Sequence, residues 1–240
     1  MSQKNDRSDY PIVPLPVLRR LPFYYTYLLE HQAEGLVSVS SSQMAEDLNL
    51  HPVQVRKDLA MTQVSGRPRT GFNVNDLVDR LEEMLGYNDV KPALIVGTGH
   101  LGSALVNYSG FEGFGLKFVA AFDNDPDKVG EELGHLTIQP LKELDQVINE
   151  HNIQIAVIAV PGHVSQDVCD MLMKTGKIKA VWNFAPNHLQ VPKGVILQNE
   201  NIAASLSVLS KRLMDQEYLE SKGMEEEAQD DDARGPRTRF

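Results

Sequence analysis

Helical spacing dominates the first 85 residues of the chain. Over residues 15–31, apolar side chains recur every three or four positions, at Leu18, Leu21, Tyr25 and Leu28. This spacing places them on one face and predicts an amphipathic helix. Over residues 73–85 the same spacing, at Leu77, Leu81, Met84 and Leu85, predicts another helix.

Two shorter helices are predicted between these two. Ser40 lies three residues before Gln43, which is the spacing of a capping box, and it predicts a helix over residues 44–48. Pro52 suits the first turn of a helix over residues 52–61, because the N–H group that proline lacks would have no partner there. Two short helices that meet across a tight turn resemble a helix-turn-helix.

From residue 92 onward, short apolar runs alternate with helical stretches. The apolar runs are 93–96, 117–122, 136–138, 155–160, 180–184 and 195–197. This alternation predicts a parallel sheet flanked by helices. A last stripe predicts a terminal helix over residues 201–218 and consists of Ile202, Leu206, Leu209 and Leu213. The stripe fits either a dimer contact or packing on its own domain.

Composition limits the chemistry that this chain can perform. With 240 residues it is long enough for two modest domains. No apolar run approaches the roughly 18–20 residues of a membrane span, and residues 1–10 lack the apolar core of a secretory signal, so we expect a cytoplasmic protein. The single cysteine, Cys169, excludes an intrachain disulfide and a thiolate cluster, and the scattered histidines indicate no metal site.

Charge is unevenly distributed along the chain. Residues 1–71 carry 8 Lys/Arg and 7 Asp/Glu, a net charge of +1, whereas residues 72–214 carry 11 and 17, a net charge of −6. Residues 215–240 carry 4 and 9, a net charge of −5, and their composition predicts a disordered acidic tail from residue 220. The N-terminal third is therefore the part suited to a nucleic-acid partner.

A glycine-rich segment directly follows the first apolar run of the second half. It reads Gly97-Thr98-Gly99-His100-Leu101-Gly102 and precedes a helical stretch. The first glycine permits a tight turn, the second admits a pyrophosphate and the third allows helix–strand packing. Asp123 ends the next strand, 21 residues after Gly102, where a carboxylate can bind ribose hydroxyls and disfavour a 2′-phosphate. The pattern predicts an NAD(H) site, although such a turn can also serve the fold alone.

Catalytic groups are scarce around this predicted site. Val160-Pro161 and Asn183-Phe184 end two further strands and are expected at the ligand edge of the sheet. His163 and His188 are the available bases, but a lone loop histidine is usually solvated. After Gly194 too little chain remains for a substrate domain. We therefore expect a dinucleotide that acts as a signal; a small NAD-dependent oxidoreductase, or a domain that binds CoA, remains the alternative.

The second of the two short helices, over residues 52–61, carries the side chains suited to DNA. Helical projection places Val55 and Leu59 inward, with Pro52 nearby, and points Gln54 and Lys57 outward. Gln54 could then read a base edge, whereas Arg56, on the flank, suits a phosphate. Asp58, next to Lys57, is expected to weaken that cation.

Two arginines between glycines extend the predicted DNA surface. Arg67 and Arg69 lie in a loop bounded by Gly66 and Gly71 and could reach a minor groove. The alternative for this whole region is a helical dimerisation module with a solvated basic face.

The chain as a whole resembles the Rex family of redox-sensing transcriptional repressors. The resemblance spans residues 18–213 and rests on Leu18-Arg19-Arg20-Leu21-Pro22, Gln54-Val55-Arg56-Lys57-Asp58-Leu59, Gly97–Gly102, Tyr108 with Gly110-Phe111, Ala121-Phe122-Asp123, Val160-Pro161 and Asn183-Phe184-Ala185-Pro186. It implies a homodimer that binds an inverted repeat when NADH is scarce and leaves the DNA when NADH accumulates. It implies neither catalysis nor a metal.

The resemblance also implies a fold and domain boundaries. The fold class is α/β, with a winged helix-turn-helix domain at residues 1–86 and a doubly wound Rossmann domain at residues 87–199. A dimerisation helix, swapped between protomers, follows at residues 200–219, and the acidic tail occupies residues 220–240.

Site residues follow from the matching motifs. The NAD(H) contacts are Gly97, Thr98, Gly99, His100, Leu101, Gly102, Asp123, Lys128, Val160, Pro161, Asn183 and Phe184. The DNA contacts are Arg19, Gln54, Arg56, Lys57, Arg67 and Arg69. The switch and dimer residues are Thr26, Tyr108, Asn201, Ile202, Leu206, Leu209 and Leu213.

Two departures from the family pattern stand out. Many members carry an aromatic, glycine-rich wing where this chain has residues 60–69. Better-known members also have an arginine and an aspartate at the positions of Thr26 and Asn201, and often a phenylalanine at Ile202. Because both charged partners are absent together, the discrimination between NADH and NAD⁺ cannot be carried over from those members.

Overall fold

A computed structural model describes residues 12–222 of the chain. It divides the chain into two compact units, one up to Asn88 and one from Asp89. The N-terminal unit and the C-terminal unit, as they are called below, each have their own hydrophobic core. The proposed disordered tail lies outside the described residues, except at its first residues, which are helical.

The N-terminal unit is a small helical domain with a two-stranded sheet. Its elements are α1 (Leu15–Leu18), α2 (Leu21–Ala33), β1 (Ser38–Val39), α3 (Ser41–Asp47), α4 (Pro52–Ala60), β2 (Phe72–Asn73) and α5 (Val74–Leu85). β1 and β2 pair antiparallel, and along the chain they precede and follow α3, α4 and the loop after α4. This is the winged helix-turn-helix arrangement that the family resemblance implied.

Residues 15–31 form two helices instead of the single predicted one. The helical conformation is interrupted between Leu18 and Leu21, and Pro22 lies in the first turn of α2. A proline at that position cannot donate to the carbonyl of Leu18, and its ring would clash with that carbonyl in a continuous helix. The break places Arg19 and Arg20 in a corner.

Only half of the predicted capping box forms at α3. Ser40 Oγ accepts from the backbone N–H of Gln43 at 3.0 Å. The Gln43 side chain instead donates to Asp47, one turn further along. The cap therefore starts the helix at Ser41, three residues before the predicted start.

The C-terminal unit is a seven-stranded sheet with helices on both faces. Its elements are β3 (Lys91–Val96), α6 (His100–Asn107), β4 (Leu116–Asp123), β5 (Glu132–Leu133), β6 (Leu136–Pro140), α7 (Leu144–Glu150), β7 (Ile155–Ile158), α8 (Gly162–Lys174), β8 (Ala180–Asn183), β9 (Ile196–Asn199) and α9 (Ile202–Ser221). The strand order is β5-β6-β4-β3-β7-β8-β9. All neighbours are parallel except β5 and β6.

This topology defines where a ligand binds. From β3 the chain first adds strands on one side and then returns to add β7, β8 and β9 on the other, the order of a doubly wound dinucleotide fold. The direction in which strands are added to the sheet reverses between β3 and β7, which run parallel. Ligands bind at the carboxyl ends of two strands that flank such a point.

The terminal helix α9 leaves its apolar stripe uncovered within the described chain. Ile202, Leu206, Leu209 and Leu213 are 65%, 61%, 65% and 55% exposed. The alternative in which this stripe packs on its own domain is therefore wrong. An exposed apolar stripe of this kind is typical of a surface that packs against a partner.

Candidate functional site

The glycine-rich turn joins β3 to α6 at the point between β3 and β7 where the strand order reverses. Gly97 has φ +99°, and a Cβ there would lie 2.6 Å from the carbonyl oxygen of Ala159. A Cβ on Gly102 would lie 1.9 Å from the carbonyl oxygen of Gly97. Both positions therefore accept only glycine. A Cβ on Gly99 would meet no protein atom within 4 Å, so the turn is open at its middle glycine.

Asp123 ties this turn to the end of the neighbouring strand. Its Oδ2 accepts from Thr98 N at 2.9 Å, from Thr98 Oγ1 at 2.7 Å and from Lys128 Nζ at 3.3 Å. Its Oδ1 accepts from the backbone N–H of Asp125 at 3.1 Å. Burial favours the neutral carboxyl, but these hydrogen bonds outweigh it and lower the pKa of Asp123 to about 2.

This carboxylate gives the C-terminal unit an acid-sensitive stability. The pKa of an unfolded aspartate is near 3.9 and that of folded Asp123 is about 2. The stabilisation is therefore complete above about pH 4, and it is lost as pH falls through about 2. We expect Asp123→Asn to lower the free energy of unfolding by about 2 kcal/mol at neutral pH and to flatten its dependence on acid.

Urea unfolding followed by circular dichroism, repeated at several pH values, measures both effects. Asp127→Asn is the control, because that exposed side chain sits in the same loop. Equal losses of unfolding free energy in the two variants would contradict a stabilising role for the Asp123 carboxylate.

The loop after β8 and the end of β9 are held together at the same edge of the sheet by an asparagine. Asn183, at the end of β8, is fully buried; its Nδ2 donates to Asn187 O at 2.9 Å and to Asn199 Oδ1 at 2.8 Å. Its Oδ1 accepts from the backbone N–H of Ala185 at 3.0 Å. The side chain of Asn183 thus holds the edge together and is not itself accessible to a ligand. Backbone groups and the neighbouring Phe184 are the parts of this segment that can face one.

The segment that leads into α9 is bonded to the same strand. Trp182 Nε1 donates to Glu200 Oε1 at 3.0 Å, and the backbone N–H of Glu200 donates to Asn183 O at 2.8 Å. The Trp182 ring lies 4.8 Å from that of Phe184 and 5.6 Å from that of Phe111, between centroids. The start of α9 is therefore attached to the edge at which a ligand would bind.

The remaining residues of the predicted NAD(H) set lie around this edge. Those that the structure leaves at least partly accessible are His100, Leu101, Lys128, Val160 and Pro161.

The predicted switch residues are neutral, and two of them are satisfied locally. Thr26 is exposed, and its hydroxyl donates to Pro22 O, one turn back in α2. Asn201 caps α9 by accepting from the backbone N–H of Ala204 at 2.9 Å. Tyr108 is 55% exposed and packs edge-on against Phe111.

In helix α4 the structure corrects the prediction for Asp58. Asp58 does not lie beside Lys57 on the surface but is buried, and its carboxylate accepts from Arg20 Nε at 2.7 Å and from Tyr24 Oη at 2.7 Å. Val55 and Leu59 face the core as predicted, whereas Pro52 is exposed. Sequence reasoning missed Arg20, because no local pattern shows that its partner 38 residues away is buried.

All the cations predicted to contact DNA are exposed: Arg19, Arg56, Lys57, Arg67 and Arg69. Arg67 pairs through its backbone with Gly71 and closes a tight loop, in which Arg69 has φ +69°. Gly71 cannot be replaced without a clash, since a Cβ would lie 2.3 Å from Val39 O. The loop is therefore anchored to β1 and displays its arginines to solvent.

Residues 12–222 hold no cluster of side chains suited to a metal ion. No helix in the same range is long and apolar enough to cross a bilayer. His163 and His188, the two candidate bases, are exposed.

Comparisons with known proteins agree with both units. The family described as "CoA binding domain" matches residues 88–187, and the one described as "Putative DNA-binding protein N-terminus" matches residues 12–60. The redox-sensing transcriptional repressor Rex of Bacteroides thetaiotaomicron is 39% identical over 212 residues, which is 88% of this chain and 96% of the relative. The same repressor of Treponema denticola is 39% identical over 194 residues, 81% of this chain and 92% of the relative.

Solved structures give the same picture. The crystal structure of RSP in complex with beta-NAD⁺ and operator DNA matches with a TM-score of 0.81 and 32% identity, over 89% of this chain and 98% of that chain. RSP in complex with beta-NADH matches with a TM-score of 0.78 and 33% identity, over 88% and 99%.

Proposed function

The chain belongs to the Rex family of redox-sensing transcriptional repressors, and we propose that its two units divide that task. The N-terminal unit, with Gln54 and its exposed cations, binds operator DNA. The C-terminal unit holds NAD(H) on the turn 97–102. The observation that carries this proposal is the free space beside Gly99, in the turn that follows β3, where the strand order of a doubly wound sheet reverses.

The nucleotide acts as a regulatory ligand and not as a reagent. Within the described residues, the edge of the sheet offers no buried acid or base besides Asp123, and that carboxylate is occupied by Thr98 and Lys128. We therefore propose that the protein binds NADH without turning it over, and that it works in the cytoplasm.

A homodimer completes the DNA-binding surface. The exposed stripe of α9 supplies an interface, and the resemblance to the family implies that the helix is exchanged between protomers. Two N-terminal units then present two copies of α4, as an inverted repeat requires.

CoA is the second candidate ligand, because residues 88–187 match the family of that description. CoA carries a phosphate on its adenosine ribose, which the Asp123 carboxylate would repel if it faces the ribose. Thermal unfolding with NADH, NAD⁺, NADPH and CoA separates the candidates. Stabilisation by CoA in place of NADH would contradict the proposal.

NADH is expected to lower operator affinity by about 5–150-fold, the range of a typical allosteric coupling of about 1–3 kcal/mol. Fluorescence anisotropy of a labelled operator, selected from random duplexes, measures this at fixed salt. Salt is held constant because phosphate contacts make the affinity steeply salt-dependent. Equal affinities with and without NADH would leave a constitutive DNA-binding protein.

A further inference from the structure

The corner between α1 and α2 holds an arginine that reaches the recognition helix. Arg20 Nε and Nη2 donate to the two oxygens of Asp58 at 2.7 and 3.0 Å. Tyr24 donates to the same carboxylate, and the Asp58 side chain is only 4% exposed. The guanidinium is therefore held as a planar, bidentate fork, and the fixed pair raises the pKa of Arg20 through its hydrogen bond to Asp58.

The same guanidinium fixes the amide of Gln54. With its oxygen turned toward Arg20, Gln54 accepts from Nη1 at 2.9 Å, because the single Nε proton is already donated to Asp58. The opposite orientation would set amide N–H groups against guanidinium N–H groups, so the hydrogen bonds decide the assignment. The amide oxygen is then engaged, and the NH₂ group is what remains to meet a ligand.

Gln54 lines an open groove of about 550 Å³ on this face of the N-terminal unit. Val53 and Lys57 of α4 line the same groove, together with Met61, which directly follows the helix. Its wall thus combines a fixed amide, a cation and apolar side chains, which suits the edge of a base pair next to a phosphate backbone.

We propose that Arg20 is a positioning residue for sequence recognition, which locks Gln54 as a hydrogen-bond donor. This rests on the proposed binding of operator DNA. An unrestrained glutamine reads adenine with both its oxygen and its nitrogen. Because its oxygen is turned toward Arg20, Gln54 presents its NH₂ donors away from that guanidinium. It therefore selects a base with a major-groove acceptor, such as guanine or thymine, and rejects cytosine, which presents a donor there.

The test compares base preferences. Affinity is measured for an operator duplex and for its variants with each of the four bases at each position. The wild-type protein is expected to lose about 5–10-fold at one position of each half-site when cytosine is placed there, the size of one lost hydrogen bond. Gln54→Ala and Arg20→Lys are expected to reduce that discrimination below about 2-fold, because lysine keeps the charge opposite Asp58 but not the fork.

Tyr24→Phe is the matched control. It removes a hydrogen bond to Asp58 without touching Gln54, and it is expected to keep the base preference. A merely structural role of Arg20 would weaken all duplexes alike and would leave the preference unchanged.

Two outcomes overturn the inference alone: Arg20→Lys keeps the discrimination, or Gln54→Ala keeps it. If Arg20→Lys does not fold, Asp58→Asn decides by the same criterion, since it keeps an acceptor but removes the charge that fixes the fork. A wild-type protein that binds no duplex overturns the proposed function as well.

Discussion

Replacing Leu206 and Leu209 by aspartate is expected to produce monomers and to lower operator affinity by about 100-fold or more. Both side chains lie in the middle of the exposed stripe of α9, and burying charges there is far less favourable than burying leucine. A monomer presents one α4 instead of two, and the loss of bivalent binding typically costs 10²–10⁴ in affinity, so roughly that range is expected.

Sedimentation velocity and operator anisotropy on the same samples measure the two effects together. Ser207→Asp is the control, because it adds a negative charge on another face of α9, and each single Leu→Asp variant is its match in charge. Deleting the chain after Asn199 is a harsher version that also removes Glu200 and its bond to Trp182. A double variant that remains dimeric and binds DNA would rule out this interface.

Gly99→Ala is expected to weaken NADH binding by about 5–150-fold while leaving the fold and operator binding intact. The added methyl group would meet no protein atom within 4 Å and the backbone φ of −68° is ordinary, so the unliganded protein loses nothing. A bound pyrophosphate would fill that space, and overpacking costs about 1–3 kcal/mol. The variant is thus expected to stay on its operator when NADH is added.

Gly102→Ala provides the contrast within the same turn. Its methyl group would lie 1.9 Å from the carbonyl oxygen of Gly97, so the turn itself must move and the C-terminal unit is expected to melt earlier. Calorimetric titration with NADH and thermal unfolding of both variants separate a ligand effect from a folding effect. If Gly99→Ala binds NADH as tightly as the wild-type protein, the pyrophosphate does not lie at this turn.

Local patterns predicted the parts of the molecule that depend on neighbours in sequence. The turn 97–102 follows from glycine spacing after an apolar run, and α5 follows from the apolar period over residues 73–85. The six predicted strands are all present, although their ends differ by a few residues. Hydrophobic periodicity decides such elements because each buries one face against the core.

Long-range pairs could not be predicted in this way. The ion pair of Arg20 and Asp58 joins residues 38 apart, and the burial of Asp58 depends on tertiary packing, in which Tyr24 of α2 also donates to it. The short strands β1 and β2, of two residues each, exist only because they pair with each other. Pro22 did carry a local signal for the break after α1, but the strong apolar period across it favoured one helix.

Trp182 gives the chain an optical property. It is the single tryptophan of all 240 residues, it packs against Phe184 and its indole nitrogen bonds to Glu200 beside the start of α9. Reduced nicotinamide absorbs light where tryptophan emits, whereas the oxidised ring does not. All tryptophan fluorescence of this protein therefore comes from one indole at the edge of the sheet. Energy transfer from that indole is expected to distinguish the reduced ligand from the oxidised one without any label.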